Sequence, residues 1–405
     1  MRRVAVTGIG MITPIGTGRE TVWRNLIEGV HGIGPVQSFD TSQFRTHIGA
    51  EVKEFCADDY VSTLETASLG RASQFAIAAA RLALLDAGLD PDDVDSDRAG
   101  ISMGTTSGEP NQIESFNDAY ADGNLASVGA ELLSRYPCHL IASYTARELN
   151  FRGINTVIPT ACAAGNHAIA HASDVLRAEQ ADLMLAGGSD AFSRITYSGF
   201  AALMAIAPEW CQPFDKNRRG MIPGEGAAVL VLEPLDRALR RNAVIYAEVA
   251  GYGLSCDAHH PTGGDPEGKG AVRAMESALT AGGIHPDDVS YISAHGTGTK
   301  TNDLNETIAV KRVFGEAAYR IPISSIKSML GHTMGAASAI EAAMCALAIH
   351  SDRIPPTIHL NDPDPDCDLD YVANQARDHR VEVAMSNAYA FGGNNASVIL
   401  KKVER

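Results

Sequence analysis

Leu84-Leu85-Asp86-Ala87-Gly88-Leu89-Asp90-Pro91-Asp92-Asp93-Val94 recurs from position 279 as Leu279-Thr280-Ala281-Gly282-Gly283-Ile284-His285-Pro286-Asp287-Asp288-Val289. Each copy closes a helix-like run on glycine and passes through Pro-Asp-Asp towards a strand-like run. One such echo is ordinary punctuation. A second stands in the same order: Thr7-Gly8-Ile9-Gly10 is matched by Ala250-Gly251-Tyr252-Gly253. Together they predict a duplicated chain with halves at residues 1–242 and 243–405. Around the echoes, residues 4–10, 100–104, 154–159 and 183–187 read as strands, and 72–87 and 163–180 as helices. Alternation at this spacing predicts an α/β fold of mostly parallel strands covered by helices. Sites in such a fold gather where the halves meet.

The 405 residues carry 33 Lys and Arg against 49 Asp and Glu, a formal charge of −16. A surface that acidic argues against sequence-independent nucleic-acid binding, which needs a basic footprint. It leaves room for a local basic patch facing an acidic protein. No run is expected to reach the ~18 apolar residues of a membrane span. The start shows no signal-peptide pattern, so a cytoplasmic protein is expected. Seven cysteines are scattered without a Cys-x-x-Cys pair, which argues against structural zinc and a disulfide framework. No metal site is expected. A cysteine singled out here is then core filler or a nucleophile.

Thr160-Ala161-Cys162-Ala163-Ala164-Gly165 stands between a strand and a helix. Small neighbours permit a sharp turn, and a helix N-terminus beside Cys162 favours its thiolate. Cys56, Cys211, Cys256, Cys345 and Cys367 have no such setting; Cys138 has only an adjacent His139. Ala294-His295-Gly296-Thr297-Gly298-Thr299 follows the strand-like residues 289–293, and strand C-termini are where open α/β sheets bind ligands. A phosphate loop is the rival reading, but its glycine spacing is missing. Asp303 and Glu306 follow on one helix face, as an orienting carboxylate or as a cap and a solvated acid. Lys327-Ser328-Met329-Leu330-Gly331-His332 precedes a small-residue helix. Near the end, Tyr389-Ala390-Phe391-Gly392-Gly393-Asn394-Asn395 joins two strands by a turn that permits close backbone approach.

Taken in order, Cys162, His-Gly-Thr-Gly-Thr, Lys-Ser-Met-Leu-Gly-His and the aromatic-Gly-Gly-Asn turn resemble the elongating β-ketoacyl-[acyl-carrier-protein] synthases of the thiolase superfamily. Pro213-Phe214-Asp215, Gly224-Glu225-Gly226-Ala227 and Ser255-Cys256-Asp257-Ala258-His259-His260 extend the likeness over effectively the whole chain. The resemblance implies thiolase-like duplicated α/β halves in a layered α-β-α-β-α architecture. It places the nucleophile on Cys162, the catalytic histidines on His295 and His332, and the orienting pair on Lys327 and Glu306. It assigns the acyl oxyanion hole to the backbone N–H groups of Cys162 and Phe391. Substrate contacts fall on Thr297, Thr299, Tyr389, Gly392 and Ser107, the two threonines holding a phosphopantetheine arm. No cofactor of its own is implied, only substrates carried on the phosphopantetheine of an acyl carrier protein. The partners implied are that carrier and a second ketosynthase fold, as a homodimer or a heterodimer with a paralogue.

Two histidines distinguish the chain from initiating synthases and from thiolases that bring a second cysteine. Cys162 argues against the silent partner subunit of aromatic polyketide systems. Three departures bear on substrate. Arg218-Arg219-Gly220 stands where the family reads Arg-Asp-Gly, Tyr389 takes an aromatic-gate position with a hydroxyl added, and Gly104-Thr105-Thr106-Ser107-Gly108-Glu109 replaces a stretch that carries an aliphatic pocket residue. They favour a specialised polyketide or unsaturated-chain pathway over housekeeping elongation. Carrier contacts are expected at Arg71 and at Lys216, Arg218 and Arg219.

Overall fold

The computed structural model describes residues 2–404 apart from 125–128, 130, 131, 133 and 134. Its first half contains β1 (Val4–Thr13), α1 (Arg71–Asp86), β2 (Ala99–Gly104), β3 (Asn155–Ile158), α2 (Ala164–Arg177), β4 (Leu183–Asp190) and β5 (Gly226–Pro234). The second contains β6 (Ala247–Cys256), α3 (Lys269–Gly282), β7 (Tyr291–Ser293), α4 (Lys300–Phe314), β8 (Ile323–Ser324), α5 (Ala337–Ser351), β9 (Val383–Tyr389) and β10 (Asn394–Lys401).

These strands form one path, β8-β7-β9-β10-β6-β1-β5-β4-β2-β3. Read outward from its centre, each half runs first, fifth, fourth, second, third strand. Orientation repeats as well. In the first half β2 is parallel to β3 and β4, while β4–β5 and β5–β1 are antiparallel. In the second, β7 is parallel to β8 and β9, while β9–β10 and β10–β6 are antiparallel. A short antiparallel contact, Ala5 opposite Glu248 and Val6 opposite Ala247, joins the halves.

The expected mostly parallel sheet is therefore corrected to a mixed one. For one antiparallel pair the reason is connection length. β9 and β10 are joined by a tight turn, Phe391–Gly393, and only antiparallel neighbours can be linked so briefly.

Both sequence echoes have a physical cause. A Cβ on Gly8 or Gly10 would meet the backbone oxygens of Ala83 at 2.2 Å or Ala79 at 1.9 Å, so α1 lies directly on β1. Gly251 and Gly253 of β6 meet the oxygens of Ala278 at 2.7 Å and Ala274 at 2.0 Å in α3. Each helix then ends at a left-handed glycine, Gly88 (φ 65°) or Gly283 (φ 62°), which closes the last turn without a Cβ penalty.

Helices α1 and α3 cover the outer faces, with α4 packed on α3; α2 and α5 touch strands of both halves. The result is the expected α-β-α-β-α layering. Enclosure on every side explains α5, in which every residue from Ala337 to Ile349 is buried. The sequence expectation of no long apolar run is corrected here. Met334–Ser351, 18 residues, is apolar enough to span a membrane by composition, yet 89% of it is buried within the protein. It is a core helix.

Candidate active site

Cys162 lies in the tight turn Ala161–Ala163 that leads into α2. Ala161 takes a left-handed φ of 50°, a strained conformation for a residue with a Cβ, and the turn aims the thiol into a cavity of about 400 Å³. The same cavity is lined by His295, Glu306, Thr297 and Thr299 from the second half, by His332, and by Tyr389 and Phe391 from the β9–β10 turn. Residues spread over more than half the chain thus converge where the two halves meet.

The loop carrying His295 is held by carboxylates. Glu306 accepts the backbone N–H groups of His295 and Gly296, each at 2.8 Å. Asp303 accepts those of Gly298 at 3.2 Å and Phe214 at 2.9 Å. Burial pushes Glu306 up to about 8 and Asp303 to about 6, against the pull of those donors. Both acids therefore hold the backbone of this loop. Thr297 and Thr299 hydroxyls bond to each other at 2.9 Å.

Lys327 is buried and forms an ion pair with buried Glu341. Its Nζ also donates to His295 Nδ1 at 3.4 Å. An ammonium can only donate, so His295 Nδ1 is the acceptor and Nε2 carries the proton. His332 reaches the same tautomer by another route, because the backbone N–H of Met334 donates to its Nδ1 at 3.2 Å. The rings stand edge to face with centroids 5.5 Å apart. Burial, reinforced by the Lys327 charge, holds both imidazoles well below the usual histidine range. At neutral pH the site holds two uncharged N–H donors, suited to a developing oxyanion and ill suited to proton abstraction.

The thiol differs from expectation. Burial pushes Cys162 up to about 12, with Lys327 opposing. A buried thiol loses more from desolvation than one helix turn returns, so the resting group is the neutral S–H. Cys56 and Cys256 are exposed while Cys162 is buried, so a small alkylating reagent meets them first.

Ser107 and Gly392, expected as substrate contacts, do not line this cavity. The Ser107 N–H instead donates to Asp190 at 3.0 Å, and Gly392, at φ 78°, shapes the turn that presents Phe391. Lys327 stands behind His295 rather than on the cavity wall. Two of the expected carrier contacts are engaged in internal pairs. Arg71 makes a two-pronged pair with buried Glu225 at 2.8 and 2.7 Å. Arg218 is buried between Asp303 and Asp364 and donates to the Thr299 and Lys300 carbonyls.

Two positioning residues escaped the sequence reading. Glu341 is the sole charge between residues 337 and 349 of an otherwise apolar helix, and that isolation was the available signal. Asp190, at the end of β4, accepts from Thr105, Thr106, Ser107 and Gly335. It ties the loop after β2 to the turn after His332. Nothing but the fold brings those segments together.

Comparison with known proteins agrees with this geometry. Residues 1–238 match the family model for the β-ketoacyl synthase N-terminal domain, and residues 246–361 that for its C-terminal domain. The chain is 40% identical over 410 residues to 3-oxoacyl-[acyl-carrier-protein] synthase 2 of Synechocystis sp., covering 100% of this chain and 99% of that protein. It is also 40% identical, over 409 residues, to the protein of that name from Staphylococcus aureus, with the same coverage. Among solved structures, the ishigamide ketosynthase/chain length factor superposes with a TM-score of 0.96 at 42% identity over 100% of both chains. A type II PKS acyl-carrier protein in complex with its ketosynthase bound to the hexaketide gives 0.92 at 33%, again over 100% of both chains. Similarity over both family models, along the full length of relatives and across the whole fold places the chain in one family: it belongs to the β-ketoacyl synthases.

Proposed function

We propose that this acyltransferase performs the decarboxylative Claisen condensation of malonyl-acyl-carrier-protein with an acyl group held on Cys162. In the first step Cys162 Sγ attacks the thioester carbonyl of an acyl-carrier, the new C–S bond forms, and the carrier thiol leaves with the proton that Cys162 gives up. In the second, malonyl-carrier loses carbon dioxide and the electron pair becomes an enolate, its oxygen held by the Nε2–H groups of His295 and His332. In the third, that carbon attacks the acyl carbonyl and Sγ leaves, to be reprotonated. The backbone N–H groups of Cys162 and Phe391 receive the acyl oxyanion. Lys327 and Glu306 orient the histidines, while Thr297 and Thr299 hold the phosphopantetheine arm. Residues 1–242 thus supply the nucleophile and 243–405 the two donors, and the enzyme works as a dimer in the cytoplasm.

The carrying observation is the pair of neutral histidines whose Nδ1 atoms are both occupied, in one cavity with Cys162, the only cysteine among the described residues that lines it. Tyr389 and the loop at residues 104–109 favour a specialised type II polyketide or unsaturated-chain substrate. Housekeeping fatty-acid elongation is the second reading, favoured by the 40% identity to two 3-oxoacyl-[acyl-carrier-protein] synthases 2. Purified protein offered malonyl-carrier and a panel of acyl-carriers separates them, with the acyl group on Cys162 read by intact mass. Efficient turnover of long saturated chains supports housekeeping elongation. Failure to form any acyl-enzyme, with co-purification of an active homologue, shows a silent subunit instead.

A further inference from the structure

Tyr389 ends β9, opposite Asn395 of β10, and lines the cavity that holds Cys162 and both histidines. Its hydroxyl is buried and has no hydrogen-bond partner among the described residues. The surrounding acceptors are already occupied. His295, with its ring centroid 5.8 Å from that of Tyr389, has Nδ1 taken by Lys327. The Glu306 oxygens accept from His295 and Gly296. The Asp257 oxygens accept from Asn395 and Asp265. Burial, with Glu306 and Asp257 nearby, keeps the phenol protonated, so the group is a donor without an acceptor. Such a group is costly while unpaired, and a bound oxygen would recover much of that.

The condensation reading, on which this inference rests, supplies few candidate oxygens. The two thioester carbonyls are claimed by the backbone N–H pair and by the histidines. A donor on the malonyl carboxylate would stabilise the ground state whose electron pair must move, and so would slow decarboxylation. The remaining position is on the acyl chain itself. We propose that the Tyr389 hydroxyl donates a hydrogen bond to an oxygen on the acyl group attached to Cys162, selecting chains that carry a 3-oxo or 3-hydroxy group over saturated chains of the same length. A saturated chain would bury the hydroxyl dry, and a site built around a polar partner discriminates against the analogue lacking it.

The test uses the full-length protein and its Tyr389→Phe variant with malonyl-carrier and three primers: hexanoyl-, 3-oxohexanoyl- and 3-hydroxyhexanoyl-carrier. Acylation of Cys162 is followed by intact mass, and condensation by kcat/KM. The wild type should favour at least one oxygenated primer over hexanoyl by about tenfold, the worth of one neutral hydrogen bond. Tyr389→Phe should bring that ratio towards one without lowering Tm, since it removes a group that has no partner. A wild type preferring hexanoyl overturns the inference whether or not the variant folds. So does a ratio unchanged in the variant, or an effect confined to the KM for malonyl-carrier, which would assign the hydroxyl to the carboxylate. Absence of acyl-enzyme with every primer instead overturns the condensation reading, and this one with it.

Discussion

Cys162 and the two histidines share a cavity, and the proposed condensation gives them different tasks that substitution can separate. Cys162→Gln should abolish condensation and leave malonyl-carrier decarboxylation measurable, because the two Nε2–H donors remain. His295→Ala or His332→Ala should do the reverse, lowering decarboxylation by ~10²–10³, the usual loss for one charge-stabilising donor, while part of the acyl transfer survives. Collapse of acyl transfer in both histidine variants with decarboxylation intact would make a histidine the base for Cys162. The thiol, pushed up to about 12, gives a pH prediction of definite sign. Deprotonation grows as pH rises towards that value, so the rate of iodoacetamide inactivation should climb by about tenfold per unit from pH 7 to 10. A plateau near neutrality would mean the helix N-terminus prevails over burial. Glu341→Leu leaves Lys327 buried without its counter-charge and should cost ~3–5 kcal/mol in urea unfolding, measured against wild type.

Contact between α2 and α5 sets the position of the nucleophile. A Cβ on Gly165 would lie 2.4 Å from the Ala339 backbone nitrogen and 2.7 Å from its Cβ. Gly165→Ala must therefore part the two central helices, with a penalty of ~1–3 kcal/mol in chemical denaturation and slower acylation of Cys162. Gly199 is the contrast. It sits inside the helix Arg194–Ala202 with nothing within 4 Å of an added Cβ. Gly199→Ala should stabilise by ~0.5–1 kcal/mol and leave acylation unaltered. Equal destabilisation by the two would mean that interhelix spacing is not what constrains this region.

Across the whole molecule, a charge of −16 repels an acidic carrier, so attraction must come from a local patch. Arg71 and Arg218 are consumed by internal pairs. Lys216 and Arg219 are exposed, and Arg219 adjoins Gly220, whose N–H bonds to the carbonyl of Gly298 in the His295 loop. Reversing both charges, Lys216→Glu with Arg219→Glu, should raise the KM for acyl-carrier about tenfold and invert its salt dependence, with little change in Tm. Unchanged kinetics with carrier-bound substrate would remove this patch from the docking surface.

Glycine placement made the duplication legible in the chain: Gly8 and Gly10, and again Gly251 and Gly253, admit a helix against a strand, a local constraint written directly in residue type. Cys162 and His295 stood out as candidates for a related reason, since each stands among small residues at an element's end, whereas Lys327 and His332 drew their expected roles from the order of the motifs. Strand direction was not legible, because alternating strand and helix patterns do not distinguish a crossover from a hairpin. Nor could local pattern show whether a charge meets solvent or a buried partner. Lys327 found Glu341 and Arg71 found Glu225 through contacts between segments remote in sequence. The resting state of Cys162 was decided in the same way: residue order implied a helix N-terminus, but desolvation depends on everything packed around the sulfur, and that belongs to tertiary structure alone.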